Sequence, residues 1–287
     1  RRRVRISFGQ KTPRNTNAMY ITLDIGGTNT RIGISSTLDD FIHIEKFPTP
    51  KTFDELKSKI KDTLKDIKPT NIAVGIAGFI ERHEKKILIS PHIKYLNDKK
   101  ITEILDFQEN IIFLENDASL AGLAEAVRGE GRGFSRSAYI TISTGVGGVL
   151  IINNKIPDTN VNYEPGHHLI PGTGIDDQQI KSWEDYSSGT SFKKIYGVNP
   201  QDYDDSKIWA EYGYNLAIGL SNISLLWRPD VIVLGGSVSK KAHLFIETTN
   251  LELSKFLHCC VPEIKISQLG DDNGLIGGLV LLRQNIT

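Results

Sequence analysis

One pattern occurs twice in the chain. "YITLDIGGTNTRIGI" (20–34) and "YITISTGVGGVLII" (139–152) each run from Tyr-Ile-Thr through an apolar strand and a glycine turn into a second apolar strand. A recurring unit of this kind implies two similar α/β lobes facing each other. The residues between the copies alternate in type. "FIHIEKF" reads as a third strand with apolar residues at alternate positions, while Phe53, Leu56, Ile60, Leu64 and Ile67 lie on one helical face that Pro69 ends. "NIAVGIAG" and "NIIFLEND" read as buried strands, and "ASLAGLAEAVRG" as a helix ending at Gly129. The second lobe adds a helix around "AEYGYNLAIGLSNISLLW" and strands at "DVIVLGG" and "EIKISQL". The apolar "GLIGGLVLLRQ" is expected to be a helix that packs back on the first lobe.

The expected organisation is therefore an N-terminal lobe over 19–118 joined by helix 274–287, and a C-terminal lobe over 119–273. Residues 1–18, "RRRVRISFGQKTPRNTNA", are basic, lack acids and show no lasting periodicity. They read as a disordered or extraneous tail, with Met19, the single methionine, as the native start.

Charge and cysteine content narrow the function classes. Lys+Arg and Asp+Glu are 34 each, so nothing pulls the whole chain toward nucleic acid or anionic membrane. No apolar run nears the roughly 20 residues that span a bilayer. Cys259 and Cys260 are adjacent and form neither a disulfide framework nor a C-x-x-C site, which fits a reducing cytoplasm.

Glycine turns let a ligand approach backbone N–H groups, and successive N–H groups make an anion nest. Two such turns on two lobes would hold a polyphosphate between them: Gly26, Gly27 and Thr28 on one side, Thr144, Gly145, Gly147 and Gly148 on the other. A third pair, Gly235 and Gly236, follows the strand "DVIVL". The two hairpin turns join strand to strand, so they match neither a Walker A loop nor a Rossmann fingerprint. They suit the two-hairpin cradle of actin-like proteins, in which Asp24 would hold Mg²⁺, often through water.

"DIGGTNTRIGI", "ENDASLAGLAEA", "STGVGGVLI", "EPGH" and "IVLGGSVS", in this order and spacing, resemble the ROK family of bacterial sugar kinases and sugar-responsive repressors. The resemblance implies an actin-like, ribonuclease H-type two-lobed α/β fold with ATP, Mg²⁺ and a sugar in the cleft. It implies a hexose kinase, a glucokinase first, forming the 6-phosphate, and a homodimer. The alternatives are a kinase for N-acetylglucosamine, N-acetylmannosamine, mannose or fructose, and a sugar-sensing regulator without turnover. Repressor members carry a DNA-binding head before the kinase-like part, and 18 residues stand there here.

The same resemblance makes Asp117 the general base and Asn116 a sugar ligand, although "ND" would also serve to cap the following helix. Glu164 and His167 would bond ring hydroxyls, with Glu184 as a further sugar-binding carboxylate. His168 adjoins His167, and the two could exchange roles. Many relatives follow "GH" with a C-x-C-x-x-x-x-C cluster that binds structural zinc together with that histidine. The stretch "IPGTGIDDQQIKSWEDY" has no cysteine, so no structural zinc is expected and something else must orient His167. His92 is a second departure, since many relatives have asparagine there.

Overall fold

The structure is a computed structural model that describes residues 18–171 and 180–286. The expectation for the basic tail therefore falls, apart from the buried Ala18, outside the described residues.

The first sheet is built from β1 (Tyr20–Ile25), β2 (Asn29–Ser35), β3 (His43–Pro48), then, after helix α1 (Phe53–Leu64), β4 (Asn71–Ile76). A small hairpin, β5 (Phe79–Glu81) and β6 (Lys86–Ile89), and the short helix α2 (Ile101–Ile104) precede its last strand, β7 (Ile112–Asn116). The strand order is β3-β2-β1-β4-β7, antiparallel through β3-β2-β1 and parallel through β1-β4-β7. Helix α3 (Asp117–Arg128) then leads into β8 (Arg136–Ile142) and β9 (Val146–Ile152). The rest comprises the hairpin β10 (Leu169–Pro171) and β11 (Ile180–Ser182), α4 (Glu184–Ser187), α5 (Gly189–Tyr196), α6 (Ser206–Trp227), β12 (Val231–Gly235), α7 (Ile246–Phe256), β13 (Glu263–Ile266) and α8 (Asn273–Ile286). The second sheet runs β13-β12-β8-β9, so it repeats β7-β4-β1-β2 without a counterpart of β3 among the described residues.

Strand periodicity sorts the side chains into layers. Ile21, Leu23 and Ile25 alternate to one face of β1 and pack with Leu56, Ile60 and Leu64 of α1. Thr22 and Asp24 point to the other face, where α8 lies against β1. In the second sheet Ala138, Ile140 and Ile142 join an aromatic core of Trp183, Phe192, Trp209, Tyr212 and Phe245. The opposite face, with Tyr139, Val149, Val231 and Val233, meets Ala121, Leu123 and Ala126 of α3 and Val280 of α8. Helices α3 and α8 thus form the shared middle layer between the sheets.

That layer is thin because it is made of small residues. A Cβ on Gly277 would sit 1.8 Å from the Leu120 carbonyl oxygen of α3, and one on Gly278 would sit 2.8 Å from Thr22 Cγ2. The caps are equally local. Thr52 Oγ1 accepts the Glu55 N–H at the start of α1, and Asp205 Oδ1 accepts the N–H groups of Lys207 and Ile208 at the start of α6.

The expected strand in "FIHIEKF" is present as β3, with its apolar residues unevenly buried. Ile42 and Ile44 are 62% and 38% exposed, while Phe47 is buried in the first core and Phe41 packs, partly buried, against a smaller cluster that includes Leu38 and Ala73. β3 is an edge strand, and α1 reaches it through Lys59, which pairs with Glu45 at 3.0 Å and lies over the Phe47 ring.

Gly277→Ala is expected to destabilise the protein by about 1–3 kcal/mol or more, because the Leu120 carbonyl is helix backbone and cannot swing away. Urea unfolding measures this directly. A change within about 0.5 kcal/mol would show that α8 rides freely on α3.

Candidate active site

The parallel strands of both sheets end at one cleft, the usual ligand position in α/β folds. Its cavity, about 820 Å³, is lined by every residue expected above to bind or react. The end of β1 and its turn bring Asp24, Gly26, Gly27 and Thr28; the end of β7 and start of α3 bring Asn116 and Asp117. The β8–β9 hairpin brings Thr144, Gly145, Gly147 and Gly148, and the end of β12 brings Gly235 and Gly236. Glu164, His167 and Glu184 come from the segment after β9.

The glycines of the two hairpins play different structural parts. Neither Gly26 nor Gly27 has a left-handed φ; the turn closes through the Gly26 N–H on the Asn29 carbonyl at 3.0 Å. Gly27 is needed for space, since a Cβ there would lie 2.5 Å from His92 Cβ. In the second hairpin the turn is Ser143–Gly145, closed by the Ser143 N–H on the Gly145 carbonyl at 2.9 Å. Gly147 and Gly148 belong to β9 itself, where a Cβ on Gly148 would meet the Tyr139 carbonyl at 2.6 Å. Gly236 does adopt a left-handed φ of 86°, which only glycine takes without strain.

Helix capping and the acid at the cleft fall to different residues of "ND". Asn116 is the N-cap of α3: its Oδ1 accepts the Ser119 N–H at 3.1 Å and its Nδ2 donates to the Gly78 carbonyl at 3.0 Å. The second N–H of that amide can serve a ligand. Asp117 is the first residue of the helix, and its Oδ1 accepts the neighbouring Ala118 N–H at 2.8 Å.

The two histidines separate cleanly. His167 lines the cavity, with its ring stacked on Phe79 and its Nε2 3.5 Å from Glu184 Oε1. His168 turns away, pairing Nδ1 with the Pro165 carbonyl at 2.6 Å and packing against Trp183. Phe79 and Glu184 are the neighbours on either hand of the His167 ring in this orientation. The segment of the expected zinc loss lies partly in residues 172–179, outside the described residues. Glu184 also accepts the Val146 N–H at 3.1 Å, which ties it to the β8–β9 turn.

Carboxylates dominate the cleft, and they repel each other. Burial, with repulsion from Asp117, raises the Asp24 carboxyl to about 7 despite the Arg31 guanidinium 3.2 Å away. Burial, with repulsion from Glu164, raises Asp117 to about 6. Burial also raises Glu164, against the pull of His167 and Asn162. Among the described residues no three His, Cys, Asp or Glu side chains are grouped to hold a metal ion, so Asp24 stands as a single carboxylate, which suits contact with a hard divalent cation through water.

Sequence reasoning overlooked Arg31, though its signal was present: it pairs directly with Asp24 across the β1–β2 ladder. Arg31 also stands 3.9 Å from both Asp271 and Asp272, and Lys240 stands 3.4 Å from Asp271. Asn273 donates to the Tyr139 hydroxyl at 2.9 Å. These contacts join distant segments, and no local pattern announces them.

The family model for ROK proteins matches residues 20–285. The chain belongs to the ROK family. It is 25% identical over 313 residues to the glucokinase of Streptomyces coelicolor, covering 93% of this chain and 98% of that protein. It is 25% identical over 304 residues to the N-acetyl-D-glucosamine kinase of Haemophilus influenzae, covering 92% and 99%. Among solved structures it resembles a ROK family glucokinase from Streptomyces griseus in complex with glucose and AMPPNP, with a TM-score of 0.76 at 22% identity over 93% of this chain and 100% of that one. This ROK protein has the actin-like two-lobed fold.

Asp117→Asn should stabilise the protein at high pH. The native carboxyl titrates near 6, above its unfolded value, so its contribution to stability is full below about pH 4 and is lost as pH rises through about 6. Removing the charge should therefore gain on the order of 1–3 kcal/mol at pH 8 and nothing at pH 4, in buffer without divalent cations. Melting temperatures of parent and variant across that range check this; a variant less stable at pH 8 contradicts it.

Proposed function

We propose that this ROK protein is an ATP-dependent hexose kinase, and a glucokinase before a kinase of N-acetylglucosamine, N-acetylmannosamine, mannose or fructose. The observation that carries the reading is Asp117: a half-buried carboxyl at the head of α3, raised to about 6, in the same cavity as Asp24 and both hairpin turns. A base poised near ambient pH is what proton removal from a hydroxyl requires.

In this reading Asn116, Glu164, His167 and Glu184 hold the sugar and present its 6-hydroxyl to Asp117. The proton passes to Asp117 Oδ2 as the hydroxyl oxygen attacks the γ-phosphorus and ADP leaves. Gly26–Thr28 and the turn at Thr144–Gly145 offer backbone N–H groups to the phosphates, and Gly235–Gly236 leave room for the adenosine. Asp24 would hold Mg²⁺ through water, and the ion would offset phosphate charge. A cytoplasmic homodimer acting in carbohydrate metabolism belongs to the same proposal.

A coupled ADP-release assay over those five sugars, with ATP and with inorganic polyphosphate as donors, tests the reading. No release with any sugar would overturn it in favour of a non-catalytic sugar sensor. Asp117→Asn is expected to lower kcat by about 10²–10⁴ with ATP affinity retained. The parent's kcat/KM should fall about tenfold per unit below pH 6, because the base must be ionised.

Gly27→Ala would press on His92 and disturb the first turn, so the KM for ATP should rise about tenfold or more with sugar affinity little changed. Isothermal titration with glucose, beside ATP kinetics, separates this from a loss of both that tracks the melting temperature, which would mark the turn as structural only.

A further inference from the structure

The β5–β6 hairpin, which follows the fourth strand of the first lobe, is stitched to the segment 159–164 that ends in Glu164. The Arg82 N–H donates to the Asn160 carbonyl at 3.2 Å, and Glu81 pairs with Val161 in an antiparallel bridge. Arg82 Nη1 donates to Thr159 Oγ1 at 3.0 Å and to the Thr159 carbonyl. Its Nε and Nη2 grip both oxygens of Glu115, at 2.7 and 2.8 Å, and Glu115 Oε1 also accepts the Asn116 N–H at 2.8 Å. This seam therefore starts beside Asn116 and Asp117 and leads into the segment that carries Glu164.

At the end of the seam stands Asn162, 7% exposed, with both ends of its amide in use. Its Oδ1 accepts the Ile80 N–H at 3.0 Å, and its Nδ2 donates to Glu164 Oε1 at 2.8 Å. The backbone donor dictates which end of the amide faces which way: Ile80 takes the oxygen, so the NH₂ is the end that meets Glu164. A buried amide fixed in this way gives the carboxylate one N–H of set direction and leaves its other oxygen for a ligand.

We propose that Asn162 is a positioning residue for sugar binding, which sets the Glu164 carboxylate against the first lobe through its side-chain amide. This rests on the hexose-kinase reading. The competing explanation is that Asn162 merely satisfies the buried Ile80 N–H. The two differ in which end of the amide matters, and Asn162→Asp separates them: it keeps an acceptor for Ile80 but replaces the donor to Glu164 with a second carboxylate.

The experiment uses the full chain and whichever sugar of the panel the parent phosphorylates best. With Asn162→Asp, the KM for that sugar is expected to rise about tenfold or more while the KM for ATP stays within about twofold. Sugar binding by titration calorimetry adds a signature that a structural role would not produce. Protonation of the introduced carboxyl restores a donor, so the variant's sugar Kd should tighten from pH 8 to pH 5.5, unlike the parent's. The other titratable groups facing Glu164, namely His167, Glu184 and Asp117, are common to both proteins. The Glu164→Gln background keeps the test decisive if the first variant folds poorly, because the introduced glutamine amide can donate to the introduced carboxylate. In that background Asn162→Asp should add less than about twofold to the sugar KM, since its effect runs through Glu164.

A sugar KM within about twofold of the parent for Asn162→Asp, or effects of the two substitutions that multiply independently, overturns the proposal and leaves the kinase reading intact. A parent that phosphorylates none of the sugars overturns both.

Discussion

The approach of α8 to α3 is the contact on which the cleft depends. Gly277 lets the α8 backbone come against the Leu120 carbonyl, and Gly278 lets it come against Thr22 on β1. Both helices carry the site at their N-terminal ends. Asp117 opens α3, while Gly274, in the first turn of α8, would bring a Cβ to 3.2 Å from the Asp24 carboxyl carbon. The spacing of one helix pair thus sets where two carboxyls from different strands stand. A bulkier stripe on α8 would part the sheets and the acids together.

The acids are held where they are costly. Asp24, Asp117 and Glu164 are all raised, first by burial and then by neighbouring acids, and Arg31 offsets only part of this for Asp24. Such repulsion costs the folded state stability wherever these carboxyls are ionised. The same repulsion explains why so many neighbours donate toward acids: Asn162 to Glu164, the Val146 N–H to Glu184, the Ala118 N–H to Asp117. Each donor comes from a different segment, so the fold has to be complete before the cleft can hold its charge.

The sequence was most legible where side-chain period and backbone agree. The helical spacing from Phe53 to Leu64, the buried strands ending at Ile76 and Asn116, and the repeated hairpins all reappear as elements close to their expected bounds. The reading did not extend to burial: Ile42 and Ile44 lie beside and within an edge strand, and both stand exposed. Nor did it give the bounds of the second glycine turn, because a glycine in a strand and a glycine in a turn look alike in one dimension, and Gly147 and Gly148 serve close strand pairing.

By itself, the sequence determined the two-lobed α/β plan and the residue types that would meet at the strand ends, because periodicity and glycine turns act over a few neighbouring residues. Tertiary structure alone decided which of two adjacent histidines faces the cleft. His168 is drawn inward by the Pro165 carbonyl and Trp183, and His167 is left to Phe79 and Glu184. It alone decided that Asn162 would hold Glu164, through a hydrogen bond to Ile80 that spans 82 positions of chain. Such pairings depend on directions fixed by distant backbone, and a linear pattern carries no record of them.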